Sequence, residues 1–346
     1  MSMDNFDPLV RDLKKFKLNV RSNERLAAYT TIGVGGEAKL FIEVLNMAEL
    51  ELAIKLAFKH NIPYRVFGNG SNIIISDSGY HGLVILNNTN HWQIVKGAYK
   101  KHSSTILSRF KTFSSEVSSD LTFSYQEKQK DEVLVRVSSG TRIGHLMNSL
   151  FKEGVSGLQW FAGIPGTVGG AIFMNIHGGD YYFGDLVMKA VITDGKSSRE
   201  VDYDYFHFAY DWSILQQTRE VVLSADLLLH RGDVKKAKEL AKSWIRYKSQ
   251  QPQRSAGCIF QNLSLEEQKR LGLPTPSVGY VIDRILKLKG IRKGEAIIST
   301  KHAAFIENSG RATANDVIYL INLVKQQARE KLGLQLKLEV ELLGDL

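Results

Sequence analysis

The sequence predicts an α+β fold, and three features point to it. Strand-like and helix-like runs alternate over the first 88 residues, two clearly delimited helices and an alternating strand fill the last third, and glycine-dense loops separate apolar runs. At 346 residues, 43% hydrophobic and 23% charged, the chain is long enough to bury more than one core.

Taken in order, residues 26–45 (LAAYTTIGVGGEAKLFIEVL) read as a glycine turn feeding a short strand, Leu40 to Val44. A helix with apolar residues on a 3.6-residue period follows at about 47–60. PYRVFGNGSNIIISDSGYHGLVIL then gives strand, glycine turn, strand, turn and strand. Residues 99–131 are serine- and lysine-rich with weak periodicity, as an insertion or extended hairpin would be. Regular structure resumes with the strand EVLVRVSSGT and the amphipathic helix IGHLMNSLFKEG, closed by Gly154. Near the end, Val278, Val281, Ile282, Ile285 and Leu286 are spaced for one helical face. Thr313 and Asp316 make a capping-box start for a helix that Gly333 stops. The terminal LKLEVELL alternates Leu336, Leu338, Val340 and Leu342 against Lys337, Glu339 and Glu341, the pattern of a strand with one apolar face.

Composition narrows the function. Cys258 is the one cysteine, so no internal disulfide forms and a cytoplasmic, reducing compartment is expected. The N-terminus is charged, and no apolar stretch approaches the ~20 residues that cross a bilayer, so neither secretion nor a membrane is expected. The net charge of +9 suits nucleic acid or small polyanionic ligands; without an RNP motif, zinc finger or long basic helix, nucleic acid is not expected. Nine histidines without HExxH or H-x-H spacing, and one cysteine, predict no metal site.

Two loops stand out. GNGSN, residues 68–72, lacks the third glycine of a dinucleotide fingerprint and leads into a strand. Its backbone N–H groups, with Ser71 and Asn72, could still meet a phosphate; a plain turn is the alternative. GIPGTVGGAIFMN, residues 163–175, has a glycine density suited to close approach by a flat or anionic ligand, or to a tight connection.

These loops, followed by SAGCIFQN, ISTKHAAFIENSGRATANDVIYLI and LKLEVELLG, resemble in order the UDP-N-acetylenolpyruvoylglucosamine reductase family over about residues 26–344, excepting 99–131. The resemblance implies an FAD-binding two-part domain of the vanillyl-alcohol-oxidase type plus a C-terminal α+β substrate domain. Residues 1–88 and 89–245 would form the two FAD-binding parts, and 246–346 the substrate domain, its last strand returning to the active site. It implies cofactor contacts from Gly35, Gly36, Gly68, Asn69, Gly70, Ser71 and Asn72, and from Gly163, Ile164, Pro165, Gly166, Thr167, Gly169, Gly170, Ala171 and Asn175. Tyr210, Lys248, Arg254 and Asn262 would contact substrate. NADPH would reduce FAD, and the enolpyruvyl ether of UDP-N-acetylglucosamine would become UDP-N-acetylmuramate, a peptidoglycan precursor. A monomer is expected.

Hydride addition to an enolpyruvate leaves negative charge beside a carboxylate, so the reaction needs a proton donor and a stabilising group. The family's donor is a serine in SAGS, and Cys258 holds that place. An ordinary thiol, with a pKa of ~8.5, is still protonated at neutral pH and is a far better acid than an alcohol. The other reading of Cys258 is a structural thiol. Glu339 matches the family's C-terminal glutamate, and His302 fits a family position as a structural or substrate-adjacent group. One departure is sharp. The family pattern Phe-x-Tyr-Arg-x-Ser reads FAYDWS here, with Asp211 where an arginine is expected to stabilise the enolate. Either another cation (Arg254, Arg246 or Lys248) substitutes, or catalysis is impaired and the chain only binds flavin or nucleotide sugar. A different FAD oxidoreductase on the same scaffold is the remaining alternative. MNIHGGD in place of MNAGAYG, and FQNL in place of FKNP, are lesser departures.

Overall fold

The computed structural model describes residues 6–95, 130–179 and 181–345; the insertion read at 99–131 falls outside them but for its last two residues. Two compact units interleave along the chain. One comprises Met1–Val20, Ile42–Gly68 and Ile85–Lys248, the other Arg21–Phe41, Asn69–Val84 and Ser249–Leu346.

The first unit is built on a six-stranded antiparallel sheet. Its path runs Ser198–Asp202, Val187–Thr193, Val221–Arg231, Lys130–Ser138, Trp92–Ile94, with Val155–Ser156 also paired to Val221–Arg231. Register places Val133, Val135 and Val137 opposite Leu229, Leu227 and Ala225, so one face carries a continuous β-branched and aliphatic layer. Two helices cover it. Ile143–Lys152 buries Ile143, Leu146, Met147 and Leu150, and Val234–Ser249 buries Ala237, Leu240, Ala241 and Trp244, each on an i, i+3, i+4, i+7 stripe. Met47–Lys59 is started by Asn46, whose side chain accepts from Glu49 N–H. The short helix Asp7–Lys15 is tied to the end of that one: Asp12 lies 2.8 Å from His60 and 2.9 Å from Lys59.

The second unit holds a four-stranded sheet in the order Ser255–Cys258, Phe305–Asn308, Ala296–Ile298, Arg292–Lys293. The helix Ala314–Leu332 buries Val317, Leu320, Ile321, Val324 and Ala328. Its ends are as the sequence predicts: a full Thr313/Asp316 capping box, and Gly333 left-handed at φ 61°. The Asp77 carboxylate adds to that start, accepting from Ala314 N at 2.8 Å and Asn315 N at 2.9 Å.

Two expectations are corrected. The helical face at 278–286 is not one α-helix: Val278–Tyr280 is α-helical and Val281–Ile285 is a π-helical turn. The bond from Leu286 N to Val281 O at 2.9 Å widens the turn. Val278, Val281, Ile282 and Leu286 are buried, and Ile285 is left half-exposed. The terminal strand is also shorter than its alternation suggests. Only Glu341–Leu343 pairs as a strand, parallel to Ile73–Ile75, and Leu343 rather than Leu342 is buried. Among the described residues, no helix is long and apolar enough to cross a membrane, and no group of three or more metal-ligating side chains occurs.

Candidate active site

In the first unit the glycine-rich stretch 163–175 enters the helix Val168–Met174. Thr167 caps it by accepting from Gly170 N–H, and Asn175 ends it in a left-handed turn at φ 48°. Gly68 lies directly against this start. A methyl on Gly68 would fall 2.3 Å from Thr167 Oγ1 and 3.0 Å from its Cγ2, so only glycine admits the approach. The first of the two GNGSN glycines and the 163–175 loop are thus joined in one packed feature, although the sequence reads them separately.

The helix's first donors are engaged by the protein: Val168 N with Thr141 O at 3.0 Å, Gly169 N with Ser139 O at 2.7 Å. Asn175, read as a cofactor contact, is occupied on both sides, its Nδ2 donating to Ala209 O at 2.7 Å and its Oδ1 accepting from Gly184 N at 2.9 Å. Gly166 and Gly170 differ from their neighbours. A Cβ there would meet nothing closer than 3.7 Å and 3.5 Å respectively, and neither has a positive φ. Packing does not require glycine at either position, which leaves a strip of bare backbone beside the helix start. Ile164, Gly166 and Gly169 are half-buried, Pro165 and Gly163 exposed, and Ala171 buried; a Cβ on Gly163 would fall 3.2 Å from Lys248 Cβ. Lys248 is half-buried, its ammonium 6.0 Å from the Trp244 ring centroid. Arg246 is exposed.

The FAYDWS stretch is a tight turn fastened to the end of the same helix. Ala209 and Trp212 exchange backbone hydrogen bonds at 3.0 and 3.2 Å, leaving Tyr210 and Asp211 at the tip. Ser213 Oγ donates to Phe173 O at 2.7 Å, and Gln216 Nε2 donates to Asp211 O at 3.0 Å. Asp211 is left-handed at φ 47° and only 4% exposed. Its Oδ1 lies 3.0 Å from Nδ1 of His177, and its buried Oδ2 has no hydrogen-bond partner among the described residues. The His177 side chain is 31% exposed, with the Tyr210 ring 5.3 Å and the Tyr182 ring 5.9 Å away, centroid to centroid. His177 escaped sequence reasoning as a site residue. The one signal was that MNIHGGD and FAYDWS both depart from pattern, which two contacting positions can do together.

In the second unit Cys258 ends the edge strand Ser255–Cys258. Gly257 at φ 81° breaks the register between Ser255, opposite Glu307, and Cys258, opposite Phe305. Such a bulge turns the next side chain relative to the ladder. A Cβ on Gly257 would meet nothing within 4 Å, so conformation and not space selects glycine. The backbone N–H of Glu339 donates to Ile259 O at 2.9 Å, and Phe260 bridges Leu338. The C-terminal segment therefore brings Glu339 alongside the residue that follows Cys258; both side chains are half-buried.

The remaining expected contacts are partly used by the fold. Asn72 Nδ2 donates to Glu339 O at 3.0 Å, and Asn72 O accepts from Glu341 N at 2.9 Å, so this asparagine anchors the last strand. Gly36 lies against Asp77, where a Cβ would fall 2.2 Å from the carbonyl oxygen, and Gly35 lies against Ile75. Gly70 O accepts from Thr31 N at 3.0 Å; Asn69 and Ser71 are half-buried. Asn262 Oδ1 accepts from Val278 N at 3.1 Å, Arg254 Nη2 donates to Gly310 O at 3.1 Å, and His302 Nδ1 accepts from Ala304 N at 3.3 Å.

Comparison with known proteins follows the same lines. Residues 249–343 match the model of the UDP-N-acetylenolpyruvoylglucosamine reductase C-terminal domain. Proteins named UDP-N-acetylenolpyruvoylglucosamine reductase from Lactobacillus johnsonii and Chlamydia abortus are both 32% identical to the chain. The first aligns over 342 residues, 96% of this chain and 97% of that protein, and the second over 332, 95% and 96%. The crystal structure of UDP-N-acetylenolpyruvylglucosamine reductase (MurB) from Thermus caldophilus superposes with a TM-score of 0.67 at 28% identity, covering 94% of this chain and 99% of that one. By near-full-length identity and by shared fold, the chain belongs to the UDP-N-acetylenolpyruvoylglucosamine reductase family.

Proposed function

We propose that the chain reduces UDP-N-acetylglucosamine-enolpyruvate to UDP-N-acetylmuramate in peptidoglycan precursor synthesis, with FAD as bound cofactor and NADPH as reductant. The observation that carries this reading is the pairing in the second unit: Cys258 beyond a glycine bulge, with Glu339 aligned beside the next residue.

FAD fits the residues at the start of the helix Val168–Met174. Gly166 and Gly170 are glycines that neither packing nor backbone conformation requires, and the bare strip they leave suits close approach by a flat ring or a pyrophosphate. The resemblance gives Gly35, Gly36, residues 68–72 and residues 163–171 as the groups that would hold the cofactor. When bound, FAD supplies two-electron hydride chemistry between NADPH and the substrate.

The chain's own residues supply the rest. Cys258 Sγ–H donates a proton to the substrate carbon beside the carboxylate, and solvent returns a proton to the thiolate afterwards. Glu339 orients the substrate or its proton path from the adjoining segment. Tyr210, Lys248 and Arg254 contribute polar and cationic groups toward a substrate that carries a pyrophosphate and a carboxylate. The reading places residues 1–88 and 89–245 in the FAD-binding domain and 246–346 in the substrate domain, acting as a soluble cytoplasmic monomer. Incubating the purified protein with FAD, NADPH and the enolpyruvyl ether tests it: UDP-N-acetylmuramate is the expected product by mass spectrometry. NADPH consumption without that product would reject the substrate, and absence of a flavin spectrum would reject the cofactor.

A further inference from the structure

A buried carboxylate in a left-handed turn, with one oxygen on an imidazole and the other on nothing, calls for a physical account. Asp211 is 96% buried, and its second oxygen, without a hydrogen-bond partner among the described residues, is costly unless the group has a compensating role. Burial of a carboxylate is tolerated where a positive group answers it. The group that faces it is His177, whose Nδ1 is 3.0 Å from Oδ1. The turn that holds Asp211 is fixed from three directions, by Asn175 on Ala209 O, Ser213 on Phe173 O, and Gln216 on Asp211 O. The carboxylate is therefore a rigid acceptor for Nδ1–H, and the ring can act on a ligand only through Nε2. That ring belongs to a partly exposed side chain flanked by Tyr182 and Tyr210.

We propose that His177, positioned by Asp211, binds the substrate carboxylate through Nε2–H and stabilises the negative charge that develops there during hydride addition. The proposal rests on the function proposed above. Two electrons arrive as hydride at the methylene carbon, the carbon–carbon double bond opens, and its electron pair moves onto the neighbouring carbon and the carboxylate oxygens. The general acid of the proposed function then protonates that carbon. His177 keeps its proton throughout, contributing a charge-assisted hydrogen bond to the oxygen whose charge grows. Asp211 is a positioning residue: it holds the ring through Nδ1, as a buried carboxylate does for a catalytic histidine. The aspartate is thus not an isolated wrong charge but the partner of the imidazole that faces it.

The test separates binding from turnover. Isothermal titration compares the enolpyruvyl ether with UDP-N-acetylglucosamine, which lacks the carboxylate. The wild-type protein should prefer the former by at least about tenfold, and His177→Gln should lose that preference. In anaerobic stopped flow, His177→Gln should be reduced by NADPH at the wild-type rate. Its reoxidation by the enolpyruvyl ether should be slower by about 10²-fold, the usual effect of removing one transition-state donor. Asp211→Asn keeps the turn's shape, and 15N NMR of the His177 ring should show Nδ1 losing its proton in that variant, with an intermediate reoxidation rate. Flavin content and melting temperature establish that each variant folds. Wild-type reoxidation in His177→Gln, an unchanged His177 tautomer in Asp211→Asn, or no carboxylate preference in the wild-type protein would each overturn the proposal. A wild-type protein that prefers the carboxylate yet binds no flavin would overturn the cofactor reading instead and leave the ligand role of His177 standing.

Discussion

Adding one methyl group at residue 68 probes the junction on which the proposed cofactor site is built. In Gly68→Ala the new Cβ would lie 2.3 Å from Thr167 Oγ1, 3.0 Å from Cγ2 and 3.2 Å from Cβ. Thr167 cannot simply swing away: it is β-branched, 5% exposed, and its Oγ1 caps the helix at Gly170. Overpacking of this kind costs about 1–3 kcal/mol and loss of an N-cap about 1, so a destabilisation of about 2–4 kcal/mol is expected. Urea denaturation at fixed FAD, followed by circular dichroism, reads it for the wild type, Gly68→Ala, Thr167→Ala and the double variant. Removing Thr167 Oγ1 and Cγ2 first takes away the two closest contacts, so the second methyl should then cost less than about 1 kcal/mol, a coupling of 1–3 kcal/mol. Additivity within about 0.5 kcal/mol would refute the argument, because the two residues would then not share the space the structure gives them.

The remaining predictions concern other parts of the chain. Cys258→Ala should bind FAD and be reduced by NADPH normally, while reoxidation by the enolpyruvyl ether slows about 10²–10⁴-fold and Cys258→Ser retains part of the rate; equal slowing of both halves in stopped flow would remove the general-acid assignment. Asp77→Ala withdraws the acceptor from Ala314 and Asn315 N–H and should lower stability by about 1–2 kcal/mol in chemical denaturation, whereas an unchanged midpoint would mean that water replaces it fully. Hydrogen bonds from His60 first, then Lys59, hold the Asp12 carboxyl below its ordinary 3.8. A depressed carboxyl stabilises the fold above its unfolded pKa and loses that contribution as pH falls through the folded value. Melting temperatures of wild type and Asp12→Asn should therefore differ above about pH 4 and converge in more acidic solution; a gap that widens with acid would contradict the pairing.

Much of the local structure was legible because its signals are local. Thr313 and Asp316, and the glycines 154 and 333, mark helix ends through contacts a few residues apart. The segment 278–286 was misjudged because an α and a π turn share nearly the same apolar spacing, and a single 281-to-286 bond decides between them. The last strand is shorter than the alternation suggests because Leu338 bridges Phe260 while Leu343 pairs with Ile75, where simple alternation assumes one flat face. In the site, the family resemblance pointed to Cys258 and Glu339, and the fold sets their segments side by side through the Glu339 N–Ile259 O bond and the Phe260–Leu338 bridge. His177 stands in the short strand His177–Gly178 and Asp211 in a turn 34 residues on, and the one signal linking them is that both stretches depart from pattern. Several residues expected to touch ligands, Asn72, Asn175 and Asn262 among them, also complete the fold's own hydrogen bonds, because an amide serves a backbone as readily as it serves a phosphate.

The central claim is the reductive step itself. The most direct measurement reduces the FAD-loaded protein anaerobically with NADPH, adds UDP-N-acetylglucosamine-enolpyruvate, and follows the flavin absorbance. The account predicts that the oxidised spectrum returns promptly and stoichiometrically with the enolpyruvyl ether added, with Asp211 in its native place and His177 beside it. A flavin that bleaches with NADPH and stays bleached when the substrate is added would contradict it.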